Sequence, residues 1–131
     1  MVIDASALIA ILLGEPEASR LVSAIAADPT RFVGAPTLVE AAAVMLGRKG
    51  PHGEIALDAL LQRLDIRVVP FSADAANHAR SAYRQYGKGV GSPSVLNYGD
   101  CLSYGTAIAF GEPLLFKGED FPRTDVPAAP Y

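Results

Sequence analysis

Apolar residues fall into two recurring patterns along the chain. Short runs of β-branched or bulky residues, at Val2-Ile3, Phe32-Val33, Ile66 to Val69 and Leu114 to Phe116, predict buried strands. Longer stretches with helical spacing separate them. The clearest is the i, i+3, i+4, i+7 stripe of Leu57, Leu60, Leu61 and Leu64, with Glu54, Asp58 and Gln62 on the water-facing side. Ala5 to Leu13 is apolar nearly all round, which predicts a buried helix broken by Gly14. Pro16 suits the start of a second helix reaching about Ala27, and Asp28-Pro29 stops it. Further helices are expected from Thr37 to about Gly47, from a Ser72 cap to about Tyr86, and from about Asn97 to Phe110. Lys49 to Gly53 (Lys-Gly-Pro-His-Gly) and the glycine- and serine-rich residues 87–94 read as loops, and the proline-bearing C-terminal segment as a frayed tail.

Strands that alternate with helices predict an α/β fold, a three-layer α/β/α sandwich around a central parallel sheet. No repeat or linker divides the chain, so residues 1–131 are expected to form a single domain. Sheets of this kind bind ligands beyond the carboxyl ends of their strands. Asp4 directly follows the first strand and Glu119 just follows the last, on the same edge.

Composition narrows the function. The longest unbroken apolar run, Ala7 to Leu13, is too short to span a bilayer. No Lys or Arg precedes Arg20, so a secretory leader is not expected and the predicted location is cytoplasmic. A lone cysteine, Cys101, excludes an internal disulfide and a cysteine-based metal site. The formal net charge of −3 is unusual for a protein that handles nucleic acid. Setting aside Asp4, Glu40, Asp100 and Glu119 leaves 10 acidic residues against 11 basic ones, so the remainder is near neutral.

Asp4, Glu40, Asp100 and the pair Glu119/Asp120 all lie where one predicted element gives way to the next. Carboxylates brought together repel one another and stay ionised around a cation. A set of carboxylates with nothing softer suits Mg²⁺ or Mn²⁺, the chemistry of phosphodiester hydrolysis. Each acid also has a purely structural reading. Asp4 fits a helix N-cap, Thr37-x-x-Glu40 fits a capping box, Asp100 suits the positive end of its helix, and Glu119/Asp120 suit a turn. Their joint placement favours the metal reading, because no comparable acid is expected at the opposite edge. Ser6 fits a hydroxyl that orients Asp4 or a water. Lys117, Arg48 and Lys49 are candidate contacts to substrate phosphate. His52 and His78 are poor ligand candidates, His78 standing four residues from Asp74. Gly87, Gly89 and Gly91 match no phosphate-binding fingerprint.

Met1-Val-Ile-Asp-Ala-Ser-Ala-Leu8, Pro36-Thr-x-x-Glu40 and Leu96-Asn-Tyr-Gly-Asp-Cys-Leu-Ser-Tyr104 together resemble the PIN-domain nucleases. Tyr86-Gly-Lys-Gly89 and Leu114-Leu-Phe-Lys-Gly-Glu-Asp-Phe121 narrow the resemblance to VapC-type toxins of bacterial toxin–antitoxin pairs. The likeness runs over essentially the whole chain. It implies a PIN-like sandwich and a Mg²⁺- or Mn²⁺-dependent endoribonuclease that cuts RNA and is inhibited by a cognate antitoxin. It also implies a homodimer, with a toxin–antitoxin hetero-oligomer as the larger assembly. Carried over by motif, Asp4, Glu40 and Asp100 form the acidic core, and the fourth acid falls on Glu119 with Asp120 the alternative. Relatives commonly have Thr where Ala5 stands. Apolar surface on residues 5–13 and 37–46 is the expected material for pairing two copies.

Three other readings compete. The same fold serves RNA processing or a DNA substrate. A receiver-like Mg²⁺-binding module would use Lys117, but the chain lacks an acid pair after the first strand and an acceptor Asp near Val68-Val69-Pro70. A binding module without catalysis would use its acids only as helix caps.

Overall fold

The computed structural model describes residues 1–131. Four short strands, β1 (Val2–Ile3), β2 (Phe32–Gly34), β3 (Arg67–Val69) and β4 (Leu114–Leu115), form one sheet in the order β3-β2-β1-β4, parallel throughout. Six helices cover it: α1 (Ala5–Leu12), α2 (Ala18–Ala27), α3 (Ala35–Lys49), α4 (Pro51–Arg63), α5 (Ala73–Tyr86) and α6 (Tyr98–Phe110). Because side chains alternate across a strand, Ile3 and Leu115 face a core built from α1, α2, α3 and α4, while Val2 and Leu114 face one built from α5 and α6. The expected α/β/α sandwich is the observed architecture.

The leucine stripe of α4 is buried as its spacing requires, and Glu54, Asp58 and Gln62 are exposed. Ser72 caps α5 by accepting from the Ala75 amide at 3.1 Å. On α6, Gly105 lets two backbones meet; a methyl group there would stand 2.3 Å from the Ala75 carbonyl oxygen.

Pro16 lies in the turn before α2, which starts at Ala18, and three other local expectations fail. Residues 49–53 are not a loop: only Gly50 breaks the path, with φ +62, and α4 starts at once on Pro51. Proline is tolerated in a first turn because its missing N–H has no helical partner there. Gly53 permits this tight helical hairpin, since a methyl group at 53 would lie 2.4 Å from the Met45 carbonyl oxygen. Second, α3 begins at Ala35, two residues earlier than expected, again with a proline in its first turn. Thr37 is thus inside the helix and buried, and the capping box with Glu40 does not form. Third, the tail is fixed. The Leu114 amide donates to the Pro127 carbonyl at 2.8 Å, the Ala129 amide to the Leu114 carbonyl at 2.9 Å, and Tyr104 Oη to Asp125 at 2.7 Å. Val126 and Ala129 are buried, which offsets the cost of ordering a proline-rich segment.

Candidate metal centre

Each acidic residue arrives at the carboxyl edge by its own route. Asp4 is the first residue after β1, and its backbone amide still donates to the Leu115 carbonyl of the neighbouring strand. Its side chain caps α1 as expected, Oδ2 accepting from the Ser6 amide at 2.9 Å and from Ser6 Oγ at 2.6 Å. Oδ1 accepts from Ser103 Oγ of α6 at 2.5 Å. Asp4 is only 4 % exposed. Glu40 rises from the second turn of α3 and lies against the backbone of α6, where a methyl group on Gly99 would stand 2.6 Å from its Oε1. Asp100, in the first turn of α6, closes a capping box with Asn97: the Asn97 amide donates to Oδ2 and the Asp100 amide donates to Asn97 Oδ1, both at 2.8 Å.

These carboxyls feel one another. Glu40 is half-buried, and its pKa is raised first by burial and then by the charges of Asp4 and Asp100. Asp100 is pushed up to about 6, chiefly by burial. The Asn97 amide opposes that shift, Asp4 and Asp120 add to it, and Lys88 lowers it. Asp120, of the Glu119/Asp120 pair, thus acts on Asp100. Lys88 Nζ stands 3.9 Å from Asp120, and no basic side chain comes within salt-bridge distance of Asp4, Glu40 or Asp100.

The donors present fit a hard divalent ion: carboxylate oxygens, poorly hydrated and unpaired, with no histidine or thiolate among them. No three of the acidic side chains close into a ready-made cage. Mg²⁺ does not need one, because it keeps several waters and takes only one or two carboxylates directly.

The remaining candidates are distributed less simply. Ser6 touches Asp4 as expected, and its hydroxyl also accepts the Lys117 amide at 3.0 Å. The ammonium of Lys117 is occupied elsewhere, by Glu15 and by Glu17 at 3.2 Å, so its side chain is not free for phosphate. Arg48 and Lys49 lie at the far end of α3, about 12 Å along the helix axis from Glu40. Lys88 stands 3.9 Å from Asp120, and its charge acts on Asp100. His78 pairs with Asp74 at 3.5 Å, and His52 is exposed. Cys101 is buried beside Asp100, and burial followed by that charge lifts its thiol to about 11, unsuited to nucleophilic work.

Sequence reasoning missed Ser103 and Thr37, whose hydroxyls lie 3.1 Å apart in the interior. A serine in the middle of an apolar helix carries no local signature. The Asn97-x-x-Asp100 box was visible in principle, as a capping residue three positions before an acid.

Carboxylates without a basic partner at the carboxyl edge of a parallel α/β sheet have the chemistry to suit a hard divalent ion. Comparison with known proteins identifies the family. The PIN domain family matches residues 1–127. A ribonuclease VapC of Mycolicibacterium smegmatis is 50 % identical over 128 residues, 98 % of both chains. Ribonuclease VapC30 of Mycobacterium tuberculosis is 49 % identical over 126 residues, 96 % of this chain and 95 % of its own. Among solved structures, Mycobacterium tuberculosis VapC20, described as a sarcin-ricin loop cleaving toxin, superposes with a TM-score of 0.74 at 17 % identity over 95 % of each chain. A Klebsiella pneumoniae toxin–antitoxin complex gives 0.73 at 23 % identity, over 99 % of this chain and 97 % of its own. Those two likenesses establish the fold. The chain belongs to the PIN-domain family and, within it, to the VapC ribonucleases.

Proposed function

We propose that this single domain is a Mg²⁺- or Mn²⁺-dependent endoribonuclease toxin whose ion is held by Asp4, Glu40, Asp100 and a fourth acid from the Glu119/Asp120 pair. The observation that carries the reading is that Asp4, Glu40 and Asp100, from β1, α3 and α6, stand at one sheet edge with no base of the protein within salt-bridge distance. Asp120 is the favoured fourth acid because it acts on Asp100. A bound ion would activate water and offset charge on the phosphoryl oxygens. The protein's own part is to hold Asp4 by three donors, to keep Glu40 against Gly99, and to offer Lys88 to the RNA backbone.

Under this reading the partners are RNA, a cognate antitoxin and a second copy of the chain. Absence of a basic partner among the acids leaves room for an antitoxin arginine. α1 is mostly buried and offers little surface for pairing. Apolar side chains are instead exposed on two faces, Val39, Leu46 and Ile55 on α3 and α4, and Tyr83 and Tyr98 on α5 and α6. No helix is long and apolar enough to cross a membrane, in keeping with action on cytoplasmic RNA. Because the Lys117 ammonium is held by Glu15 and Glu17, the receiver-like alternative loses its lysine.

The test is cleavage of structured RNA with Mg²⁺, with EDTA, and by Asp4→Asn. Cleavage should require both the ion and the carboxylate. Activity that survives chelation and substitution ends the proposal.

A further inference from the structure

Two chains of hydrogen bonds converge on Asp4, and their directions are fixed by proton count. A hydroxyl has one proton to donate. Ser103 Oγ spends it on Asp4 Oδ1 at 2.5 Å, so the 3.1 Å contact between Ser103 and Thr37 must run from the Thr37 hydroxyl to Ser103. On the other side the Lys117 amide donates to Ser6 Oγ, which donates to Asp4 Oδ2. The Ser6 amide adds a third donor, also on Oδ2.

The two relays are anchored differently. Ser6 sits on α1, next in sequence but one to Asp4, and its relay ends on a backbone amide just after β4. Ser103 lies on α6 and Thr37 on α3, the helices that carry Asp100 and Glu40. Both hydroxyl residues are buried, Ser103 at 0 % exposure and Thr37 at 1 %. The Thr37–Ser103–Asp4 chain thus links the three elements that bear the acidic core through the protein interior.

A carboxylate oxygen accepts about two hydrogen bonds. Oδ2 of Asp4 already takes two, from the Ser6 amide and hydroxyl, and Oδ1 takes one. The acceptor position left over is on Oδ1, the oxygen that Ser103 holds. We infer that Ser103 is a positioning residue, backed by Thr37, that fixes which oxygen of Asp4 is left open to accept an ion and so sets the affinity for a divalent ion. The inference rests on the metal-site assignment proposed above. Groups that hold a metal ligand in place typically change affinity by 10- to 100-fold when removed.

The test is Mn²⁺ binding by calorimetry to the full chain, alongside melting in EDTA. Ser103→Ala should weaken Mn²⁺ binding about tenfold, measured well below a metal-free melting temperature that the lost buried donor lowers. Thr37→Val, which removes the donor behind Ser103, should weaken binding by a smaller factor and guards against a Ser103→Ala chain that fails to fold. Ser103→Cys, similar in size with a weaker donor, should fall between wild type and Ser103→Ala. An ordering of affinities that follows hydroxyl donation is a result that packing alone does not give. Mn²⁺ affinity within twofold of wild type in both Ser103→Ala and Thr37→Val overturns the inference and leaves the metal site standing. Wild-type protein that binds no Mn²⁺, or an Asp4→Asn variant that binds as wild type does, overturns both.

Discussion

The two ends of the sheet treat their acids in opposite ways. At the amino end, Asp28 and Glu112 flank the buried ammonium of Met1 at 3.3 and 3.0 Å, and the same ammonium donates to the Thr30 carbonyl. Arg31 adds charge-assisted bonds from its guanidinium to the carbonyls of Ala26, Asp28 and Leu64. At the carboxyl end, Asp4, Glu40 and Asp100 have no such partner, and Lys88 reaches only as far as Asp120. Acids at both ends are therefore present, contrary to the expectation that one edge alone would carry them. What distinguishes a metal site is whether the protein supplies the counter-charge itself. One end completes its own electrostatics; the other leaves them to be completed from outside.

Removing a carboxylate at either end breaks this contrast in different observables. The largest effect is expected for Asp100→Asn, where the amide oxygen preserves the bond from the Asn97 amide but the charge is lost. RNA cleavage should fall on the order of 10³-fold, judged by kcat/KM, with no loss of melting temperature in EDTA. Next comes stabilisation by the ion. With Mn²⁺ at about 100 times its Kd, wild type should gain about 2.7 kcal/mol. Glu40→Gln should lose most of that gain, whereas Glu112→Gln should keep it. The same Glu112→Gln leaves the Met1 ammonium with one carboxylate instead of two, costing about 1–2 kcal/mol. That corresponds to a fall of roughly 4–8 °C in melting temperature with cleavage unchanged. An active-site loss in Glu112→Gln, or a stability loss in Asp100→Asn, would erase the distinction between the two ends.

The pH response sharpens it. Asp100 titrates at about 6 in the fold against an ordinary 3.8, so its folded form holds the proton longer. Such a group stabilises below its unfolded pKa, and that contribution is lost as pH rises through the folded value. Metal-free protein should lose stability between about pH 4 and 6 from this source, and Asp100→Asn should flatten that slope in a melting series. Mn²⁺ affinity should rise over the same interval as protons leave. The smallest effect belongs to Lys88→Ala. It should raise KM for RNA a fewfold and reduce the salt slope by about 1, with kcat retained.

The architecture was legible because strand and helix differ in the spacing of apolar residues, and the leucines of α4 and the cap at Ser72 obey that difference. The edge on which Asp4 lies followed from its place directly after the first strand. The structural reading that competed for Glu40 falls away, since Thr37, its supposed capping partner, bonds instead to Ser103 in the core. The hairpin at Gly50 was misread because Gly, Pro and His together resemble a loop, although each suits a helix boundary. Ser103 stands inside the motif from Leu96 to Tyr104, but its partner could not be read from the sequence, because the contact to Asp4 spans 99 residues.

The tail has a consequence for how the molecule keeps to itself. By pairing Ala128 with Leu114, it occupies the outer border of β4 and leaves no free backbone ladder there. The only uncovered border is β3, three residues long, with Arg67 lying over Phe32 at 5.5 Å. Short strands and charged side chains are poor templates for recruiting a foreign strand. Trimming the last few residues would uncover a second border beside the buried pair Leu114-Leu115, and self-association through added strands is the hazard that such a truncation introduces.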